Sequence, residues 1–262
     1  MLVAITRSVS PNLGRCELEY FARHPIDIAL ACEQHRRYER CLESLGARVI
    51  SLPAEPDLPD SVFVEDPAVV LDEIAVITRM GVESRRDEAP TLAEALAPFR
   101  ALHSIDAPGT LEGGDVIRIG RTLFVGLSHR TNAAGSDQLA AHLAPFGYNV
   151  KPVPVSGCLH LKSAACSLGD DRILINRAWV DPAAFESFRL IDVPADEPWA
   201  ANVLPFGGTV LCSAAFPATR VLLDGAGYRT MALDVSELAK AEGALTCSSL
   251  IFRAKSPGAE KI

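Results

Sequence analysis

Short apolar runs, separated by turns of glycine or acidic residues, recur along the whole chain. The run at residues 61–71 turns at Asp72-Glu73 into a second run at 74–78, and a similar pair flanks Gly120-Arg121. Paired apolar runs with such a turn between them are typical of β-hairpins. The pattern predicts strands at residues 2–6, 48–52, 61–71, 74–78, 115–119, 122–125, 163–168, 172–175, 202–206, 209–212 and 245–253.

Most hairpins are followed by a segment with the apolar spacing of a helix. The predicted helices cover residues 26–45, 91–99, 132–146, 182–188 and 219–226, and a further unit begins at 236–241. The unit therefore reads strand, turn, strand, helix. Its equivalent positions Glu65, Glu112, Lys162, Asn202 and Thr246 are separated by 47, 50, 40 and 44 residues. A period of about 45 residues indicates repeated supersecondary units.

Two familiar architectures fit this pattern poorly. A WD40-like propeller shares the period but lacks helices, whereas nearly every unit here has one. A doubly wound sheet alternates single strands with helices and gives no reason for the hairpins. We therefore predict an α/β fold of five short units around a pseudo-axis. Since no Pro-rich or Ser-rich linker interrupts residues 1–262, we expect one domain, with residues 12–25 as a candidate mobile loop.

Composition narrows the classes of partner. The 262 residues carry a net charge of −8, which makes nucleic acid an unfavourable partner. The seven cysteines are scattered and form no CxxC pair, which argues against a disulfide framework and a structural zinc site. The chain opens without the apolar segment of a signal peptide, and no apolar run approaches the roughly 18 residues of a membrane span. These features favour a cytoplasmic protein that binds neither nucleic acid nor membrane.

Four segments place unusual polar residues in apolar surroundings: DSVFVED (60–66), EGGD (112–115), LHLK (159–162) and LTCSS (245–249). Taken singly, each has a structural interpretation. The cysteine can be inert core, the histidine a hydrogen-bonded core residue, and the carboxylates can cap a helix or pair with Arg85 or Arg86. The two glycines favour a close approach of backbone to a ligand, a positive φ, or a simple turn.

The equivalent places of these segments in the repeat change that interpretation. Ring-like units bring equivalent positions to one central site, which would then hold a thiol, an imidazole and several carboxylates. Such a set suits attack on a cationic planar carbon, with Cys247 as nucleophile and His160 as proton carrier. The same residue types also bind zinc. Against a metal, these residues are spread singly over about 190 positions of the chain.

Six segments carry a family resemblance: LPDSVFVEDPAVV (58–70), SRRDE (84–88), LEGGDV (111–116), LSHRTN (127–132), HLKSA (160–164) and LTCSS (245–249). Together and in this order, they resemble the dimethylarginine dimethylaminohydrolases of the guanidine-modifying superfamily, over essentially the whole chain. The resemblance implies the pentein fold, a fivefold pseudosymmetric α/β propeller of five ββαβ-like units. That fold agrees with the five units predicted from the repeat.

The resemblance also implies a role for each matching residue. The catalytic positions are Cys247 as nucleophile, His160 as general acid and base, and Glu112 as the carboxylate that orients the histidine. The positions implied to bind substrate are Asp60 at the α-amino group, Glu65 and Asp66 at the guanidinium, Arg85 and Arg130 at the α-carboxylate, and Leu18 and Ala241 through their backbones. Asymmetric dimethylarginine or monomethylarginine would be hydrolysed to L-citrulline and the methylamine through a covalent cysteine thiouronium. The implied reaction needs no metal and no organic cofactor.

Several alternatives stay open at this point. Arginine deiminases share the fold and the chemistry, but they usually carry an inserted helical domain for which 262 residues leave no room. Amidinotransferases are likewise longer. A non-catalytic pentein that acts as a binding protein would not be expected to carry the full set of cysteine, histidine and glutamate. The sequence leaves open a homodimer, zinc binding in the pocket, and the preferred methylation state of the substrate.

The predicted neighbours of Cys247 also bear on its protonation. Glu65, Asp66 and Glu112 are expected in the same pocket as the single imidazole of His160, and negative neighbours raise the pKa of a thiol. We therefore expect a neutral thiol in the empty enzyme, which the incoming guanidinium cation would activate.

Overall fold

The computed structural model describes residues 1–169 and 171–254, and within them fifteen strands form five three-stranded sheets. The strands are β1 (Leu2–Arg7), β2 (Arg48–Leu52), β3 (Ala68–Val70), β4 (Ile74–Ile77), β5 (Ala101–Ser104), β6 (Val116–Ile119), β7 (Thr122–Leu127), β8 (Asn149–Pro154), β9 (Ala165–Ser167), β10 (Arg172–Ile175), β11 (Arg189–Asp192), β12 (Leu204–Phe206), β13 (Thr209–Ser213), β14 (Thr230–Leu233) and β15 (Leu250–Arg253).

Six helices connect the strands in the described residues. They are α1 (Ile28–Ser44), α2 (Ala89–Leu96), α3 (Ala133–Leu143), α4 (Leu161–Ala164), α5 (Pro217–Gly225) and α6 (Ser236–Ala239). Short 3₁₀ turns occupy Leu13–Arg15, Glu83–Glu88, Gly113–Asp115, Ala144–Phe146, Pro182–Phe185 and Thr246–Ser248. The first helix begins later than predicted because Asp27 is its N-cap and accepts a hydrogen bond from the backbone of Leu30. None of these helices is long and apolar enough to cross a membrane.

Each sheet combines an antiparallel pair of strands with a parallel third strand, and in four of the five sheets the antiparallel pair is a hairpin. In the sheet of β3, β4 and β5, Ala68 lies opposite Ile77 in the hairpin, and the chain returns through α2 to place β5 parallel to β4. The sheets β6–β8, β9–β11 and β12–β14 repeat this order, with α3, the 3₁₀ turn at Pro182–Phe185 and α5 as their crossovers. The prediction of ββαβ units is therefore confirmed.

The apolar pattern alone does not mark the third strands β5, β8, β11 and β14. Their residues are mostly exposed or half-buried, and β5 has no buried residue at all. The predicted helix at residues 182–188 is likewise only the four-residue 3₁₀ turn Pro182–Phe185. An outer strand of this kind pairs through its backbone, so its side chains need not alternate between apolar and polar.

The fifth unit is built from both ends of the chain. β15 pairs antiparallel with β1, with Leu2 opposite Arg253, and β1 pairs parallel with β2 after α1. The fifth unit was predicted to lie entirely at residues 236–253, and this is wrong. The strand of that segment, β15, completes the sheet that contains β1. The predicted turn at residues 169–171 includes Asp170, and the predicted domain includes 255–262; these positions lie outside the described residues.

Two predicted strands are shorter than the apolar runs that suggested them. Within residues 61–71 only β3 is strand, and the preceding segment forms turns in which Phe63 and Asp66 donate backbone hydrogen bonds to Asp60 and Phe63. Within residues 245–253 only β15 is strand, and it follows the 3₁₀ turn Thr246–Ser248. Both turns are as buried as a central strand, which explains why their sequences resemble one.

Equivalent positions of four units meet near the middle of the molecule, as the repeat predicts. Lys162 Nζ lies 2.5 Å from Glu65 Oε1, and Thr246 Oγ1 donates to Glu65 Oε2 at 2.7 Å. Asn202 Nδ2 donates to Thr246 Oγ1 at 3.0 Å. The fifth position, Glu112, is fully buried and hydrogen-bonded to an imidazole described below. The ring of units thus brings residues from distant parts of the sequence together.

Candidate active site

A cavity beside this central cluster gathers most of the predicted functional side chains. Its lining residues are Glu17, Asp60, Phe63, Asp66, Arg85, Arg130, Leu159, His160, Ala241, Glu242, Gly243 and Cys247. They come from loops that precede or follow the inner strands of four units, and from the loop at residues 16–27. Six predicted side chains, three acidic or nucleophilic and three basic, therefore share one cavity.

His160 is fixed at the base of the cavity by carboxylates. Its Nε2 lies 2.7 Å from Glu112 Oε2, and its Nδ1 lies 4.0 Å from Asp66 Oδ1. His160 is the residue immediately before α4. The first residue of this helix, Leu161, donates its backbone N–H to the buried carboxylate of Asp115 at 2.8 Å. The carboxylate of Asp115 thus holds the start of α4 and fixes the backbone that carries the histidine.

The electrostatics of this pair favour an imidazolium beside a carboxylate. Burial acts to lower the pKa of His160, but the charge of Asp66 and the hydrogen bond to Glu112 outweigh it and raise the pKa to about 9. Burial acts to raise the pKa of Glu112, but the hydrogen bond and charge of His160, with Arg85 and Arg130, lower it to about 2. At neutral pH the histidine therefore carries a proton that it can give to a leaving group.

The EGGD segment is shaped by close backbone approach. A Cβ on Gly114 would lie 2.5 Å from His160 Nδ1 and 2.9 Å from Asp66 Oδ1, and a Cβ on Gly113 would lie 1.9 Å from the carbonyl oxygen of Glu65. Neither glycine has a positive φ. The close approach predicted from the two glycines is thus present, but it is made to the imidazole and the neighbouring backbone.

Cys247 lies in the 3₁₀ turn Thr246–Ser248, half-buried at the cavity. The backbone N–H of Ala244 donates to its Sγ at 3.4 Å. Burial, and then the charges of Glu65 and Asp66, raise the pKa of Cys247 to about 12. This agrees with the expected neutral thiol, because the carboxylates that attract a cation also disfavour a thiolate.

Arg85 is held almost entirely by carboxylates. It makes a bidentate contact with Glu88, at 2.9 Å for each hydrogen bond, and its Nη1 donates to Asp66 Oδ2 at 3.0 Å. All three groups are buried. Burial raises the pKa of Glu88 to about 7, although Arg85 opposes the shift. The structural interpretation of Asp66 as a partner of Arg85 is therefore confirmed, in addition to its place at the cavity.

Arg130 is engaged less completely. Its Nε lies 3.3 Å from Glu19 Oε2, and its Nη1 lies 3.6 Å from Glu112 Oε1. Nη1 is buried and makes no hydrogen bond within the described part of the chain. A buried guanidinium nitrogen with unused N–H groups is suited to receive a carboxylate from a ligand.

The remaining predicted residues differ in how directly they reach the cavity. Asp60 lines it and accepts the backbone N–H of Glu17 at 3.1 Å, and Ala241 also lines it. Leu18 packs in the apolar cluster under the loop and is not among the lining residues. Glu65 does not line it either, because its carboxylate bonds to Lys162 and Thr246. The role of Glu65 at the guanidinium stays a prediction, and its charge already acts on Cys247.

A metal ion could in principle use part of this site. One ligand atom from each of Asp66, Glu112 and His160 lies within 4.8 Å of the others. Each of these side chains already has a partner, however: His160 bonds to Glu112, and Asp66 pairs with Arg85. These contacts suit a hydrogen-bonded pair of His160 and Glu112 next to an ion pair of Asp66 and Arg85.

Sequence reasoning missed four acidic residues at the site. Glu17 and Glu19 belong to the loop at residues 16–27 and contact Asp60 and Arg130, Glu242 accepts hydrogen bonds from that loop, and Glu88 holds Arg85. Only Glu88 had a usable signal, since it follows Arg85 by three residues on a helical turn. The other three depend on where an irregular loop crosses the cavity, which no periodicity reveals.

Five ββαβ units around a cavity with a thiol, an imidazole and carboxylates define a pentein-fold hydrolase. A family model described as eukaryotic N,N dimethylarginine dimethylhydrolase matches residues 21–177. The chain is 40% identical to the N(G),N(G)-dimethylarginine dimethylaminohydrolase of Streptomyces coelicolor, covering 95% of this chain and 96% of that protein. It is 37% identical to the Pseudomonas aeruginosa enzyme of the same name, covering 86% and 90%.

A solved structure shows the same relationship in three dimensions. A cysteine-to-serine mutant of the Pseudomonas aeruginosa enzyme, complexed with citrulline, superposes with a TM-score of 0.91 at 34% identity, covering 95% of this chain and 98% of that one. The chain belongs to the dimethylarginine dimethylaminohydrolase family.

The raised pKa of Cys247 gives a prediction about its reactivity. In the empty protein, alkylation of Cys247 by a neutral reagent should speed up only as pH rises well above the ordinary thiol range, since its pKa lies near 12. Mass spectrometry of the peptide that contains Cys247 would follow the reaction separately from the other six thiols. An alkylation midpoint well below that of a free thiol would instead show a preformed thiolate–imidazolium pair.

Proposed function

We propose that this chain hydrolyses Nω-methylated L-arginine to L-citrulline and the methylamine. The observation that supports it most is the hydrogen bond of His160 to Glu112, at 2.7 Å, in the cavity that Cys247 and Asp66 also line. A thiol nucleophile, a proton donor and a carboxylate for the guanidinium suit substitution at a cationic planar carbon.

The side chains can perform the reaction in two steps. Binding of the guanidinium next to Asp66 offsets the negative charge that raises the pKa of Cys247, so the thiol can release its proton to solvent as the substrate arrives, while His160 keeps its own. The thiolate then attacks the guanidinium carbon, and His160 protonates the departing amine to leave a cysteine thiouronium. In the second step, the now neutral His160 removes a proton from water, which attacks the same carbon. The C–S bond then breaks, the remaining hydroxyl proton passes to the departing sulfur, and Cys247 is restored as a thiol while citrulline is released.

Charges at the cavity would fix which end of the substrate meets the nucleophile. Arg130 offers unused N–H groups to an α-carboxylate, and Asp60 offers a carboxylate to the α-amino group. Asp66 lies within 4.0 Å of the imidazole and so places the cationic end beside the proton donor. The substrate is thereby oriented by the sign of its two ends.

The decisive assay compares amine release from different guanidines. With asymmetric dimethylarginine, monomethylarginine and arginine as separate substrates, dimethylamine, methylamine and ammonia would be measured alongside citrulline. The proposal expects dimethylamine or methylamine with an equal amount of citrulline. Ammonia from arginine as the dominant product would favour a deiminase, and citrulline from none of them would contradict the proposal.

The two arginines give a prediction that separates binding from stability. Arg130→Ala should raise KM by about tenfold or more, since a charge-assisted hydrogen bond contributes roughly 1.5–3 kcal/mol. Arg85→Ala should raise KM and should also lower the melting temperature. It leaves the buried Asp66 and Glu88 without their cation, at a cost of about 3–5 kcal/mol in the free energy of unfolding. Steady-state kinetics and thermal unfolding of both variants check this. An unchanged KM for Arg130→Ala would overturn its role.

The compartment and the assembly are part of the same proposal. The seven free thiols suit a reducing environment, which supports the cytoplasm as the site of action. The homodimer stays a prediction, which the molar mass from light scattering would test. The ligand is a small molecule, for which the cavity is lined by charges of both signs.

A further inference from the structure

A single glutamate holds the loop at residues 16–27, whose Glu17 lines the cavity. Oε1 of Glu242 accepts the backbone N–H groups of Glu19, Tyr20 and Phe21, at 2.9, 2.6 and 2.7 Å. Three successive amides that point to one place form a concave site for an anion. The second oxygen, Oε2, is buried and makes no hydrogen bond within the described residues. The loop amides are therefore the contacts that offset the burial of this carboxylate.

The backbone of Glu242 is also unusual. It has φ 57°, and among the described residues no other residue except glycine has a positive φ. This conformation is costly for a glutamate and persists when surrounding contacts impose it. The turn is held on both sides of Glu242, because Ala241 and Gly243 both donate to the carbonyl of Leu238. A glycine would be easier at this position, so the glutamate side chain is the feature that needs explaining.

The same loop contacts two residues at the amino-acid end of the cavity. The backbone N–H of Glu17 donates to Asp60, and the carboxylate of Glu19 lies 3.3 Å from Nε of Arg130. The place of the loop therefore affects the orientation of the residues assigned to the substrate's α-amino group and α-carboxylate. Glu242 holds the same loop through the backbone of residues 19–21. It can therefore influence substrate binding without touching the reacting atoms.

We propose that Glu242 is a positioning residue, which holds residues 19–21 beside the cavity and thereby sets the affinity for the amino-acid end of the substrate. The expected change in KM rests on the proposed function. The statement that Glu242 holds residues 19–21 does not depend on that function. The side chain acts as an anion that the loop amides enclose. Its removal releases the loop while leaving Cys247, His160 and Glu112 in place.

Two substitutions distinguish the effect of the Glu242 carboxylate from the effect of the backbone conformation. Glu242→Gly removes the acceptor but suits a positive φ, so relief of the backbone strain should partly offset the loss of the three hydrogen bonds and the protein should stay folded. Glu242→Gln keeps an oxygen acceptor but removes the charge, so it should restore part of the effect. Glu43→Gln is a matched control, because Glu43 is exposed on α1, away from the cavity.

Amide hydrogen exchange of residues 19–21 in the unliganded protein measures the contact directly. Glu242→Gly should speed this exchange by at least about tenfold, since hydrogen bonds to a charged group protect strongly. It should also raise KM for dimethylarginine by about tenfold, with less than about a threefold change in kcat. Glu242→Gln should fall between Glu242→Gly and the wild type, and Glu43→Gln should match the wild type.

The outcomes divide clearly. Unchanged exchange in Glu242→Gly would overturn the proposal, because the loop would not depend on the carboxylate. Faster exchange with an unchanged KM would also overturn it, because the loop would then not position the substrate. Failure of the proposed function would appear separately, as a wild-type protein without turnover, and the exchange rates would still decide whether Glu242 holds the loop.

Discussion

Replacing Cys247 with serine should reduce kcat by at least about a thousandfold while leaving the fold intact. A hydroxyl at neutral pH is a far weaker nucleophile than a thiolate, and loss of a nucleophile removes a step that nothing else in the site supplies. The change deletes no buried volume beyond the difference between sulfur and oxygen. Turnover of dimethylarginine, circular dichroism and the melting temperature would be measured on the same preparation.

Cys32→Ser provides the matched control for this substitution. Cys32 is half-buried like Cys247, and it lies on α1 rather than at the cavity. The same exchange of thiol for hydroxyl should leave kcat within about twofold of the wild type. If Cys247→Ser kept more than a few per cent of the activity, Cys247 would not be the nucleophile.

His160→Gln is expected to produce the second large effect, a fall in kcat of about a hundredfold to ten-thousandfold. Glutamine can still hydrogen-bond to Glu112, but it can neither protonate the leaving amine nor remove a proton from water. Substrate binding relies on other residues, so KM should change much less. Parallel assays of kcat and KM for dimethylarginine check this split.

The wild-type pH profile tests the same assignment from another direction. Because kcat/KM reports groups of the free enzyme, activity should fall as pH rises through about 9, where His160 loses its proton. His35→Gln is a suitable control, since His35 is also buried and near a carboxylate, 3.5 Å from Glu39 on α1. If His160→Gln kept full activity and kcat/KM still fell near pH 9, the proton given to the leaving amine would come from another group.

Much of the fold could be predicted from the sequence, because hairpin turns and apolar runs are local signals. The positions Glu65, Lys162, Asn202 and Thr246 could be aligned by period alone, and they meet through hydrogen bonds in the structure. The outer strands could not be placed, since side chains such as those of β5 are exposed and carry no pattern. The closure of the first sheet by β15 depends on a pairing between residues about 250 positions apart.

The site divides in a similar way. Cys247, His160 and Glu112 stand in segments whose polar residues are out of keeping with their apolar neighbours, so the sequence could mark them. The sequence could not show that Glu65 turns to Lys162 rather than to the cavity, because adjacent residues in a turn point in different directions. Nor could it show Glu242, whose role depends on the backbone of a distant loop.

The covalent intermediate on Cys247 is the most direct test of the account. Enzyme mixed with asymmetric dimethylarginine would be quenched in acid within the first turnover and analysed by mass spectrometry of the intact protein and of its peptides. We expect a transient adduct, carried by the peptide that contains Cys247, with the mass of the substrate less its dimethylamine. It should be absent from Cys247→Ser and should persist longer in His160→Gln if it forms there. Turnover to citrulline without any adduct on Cys247 would contradict the central claim.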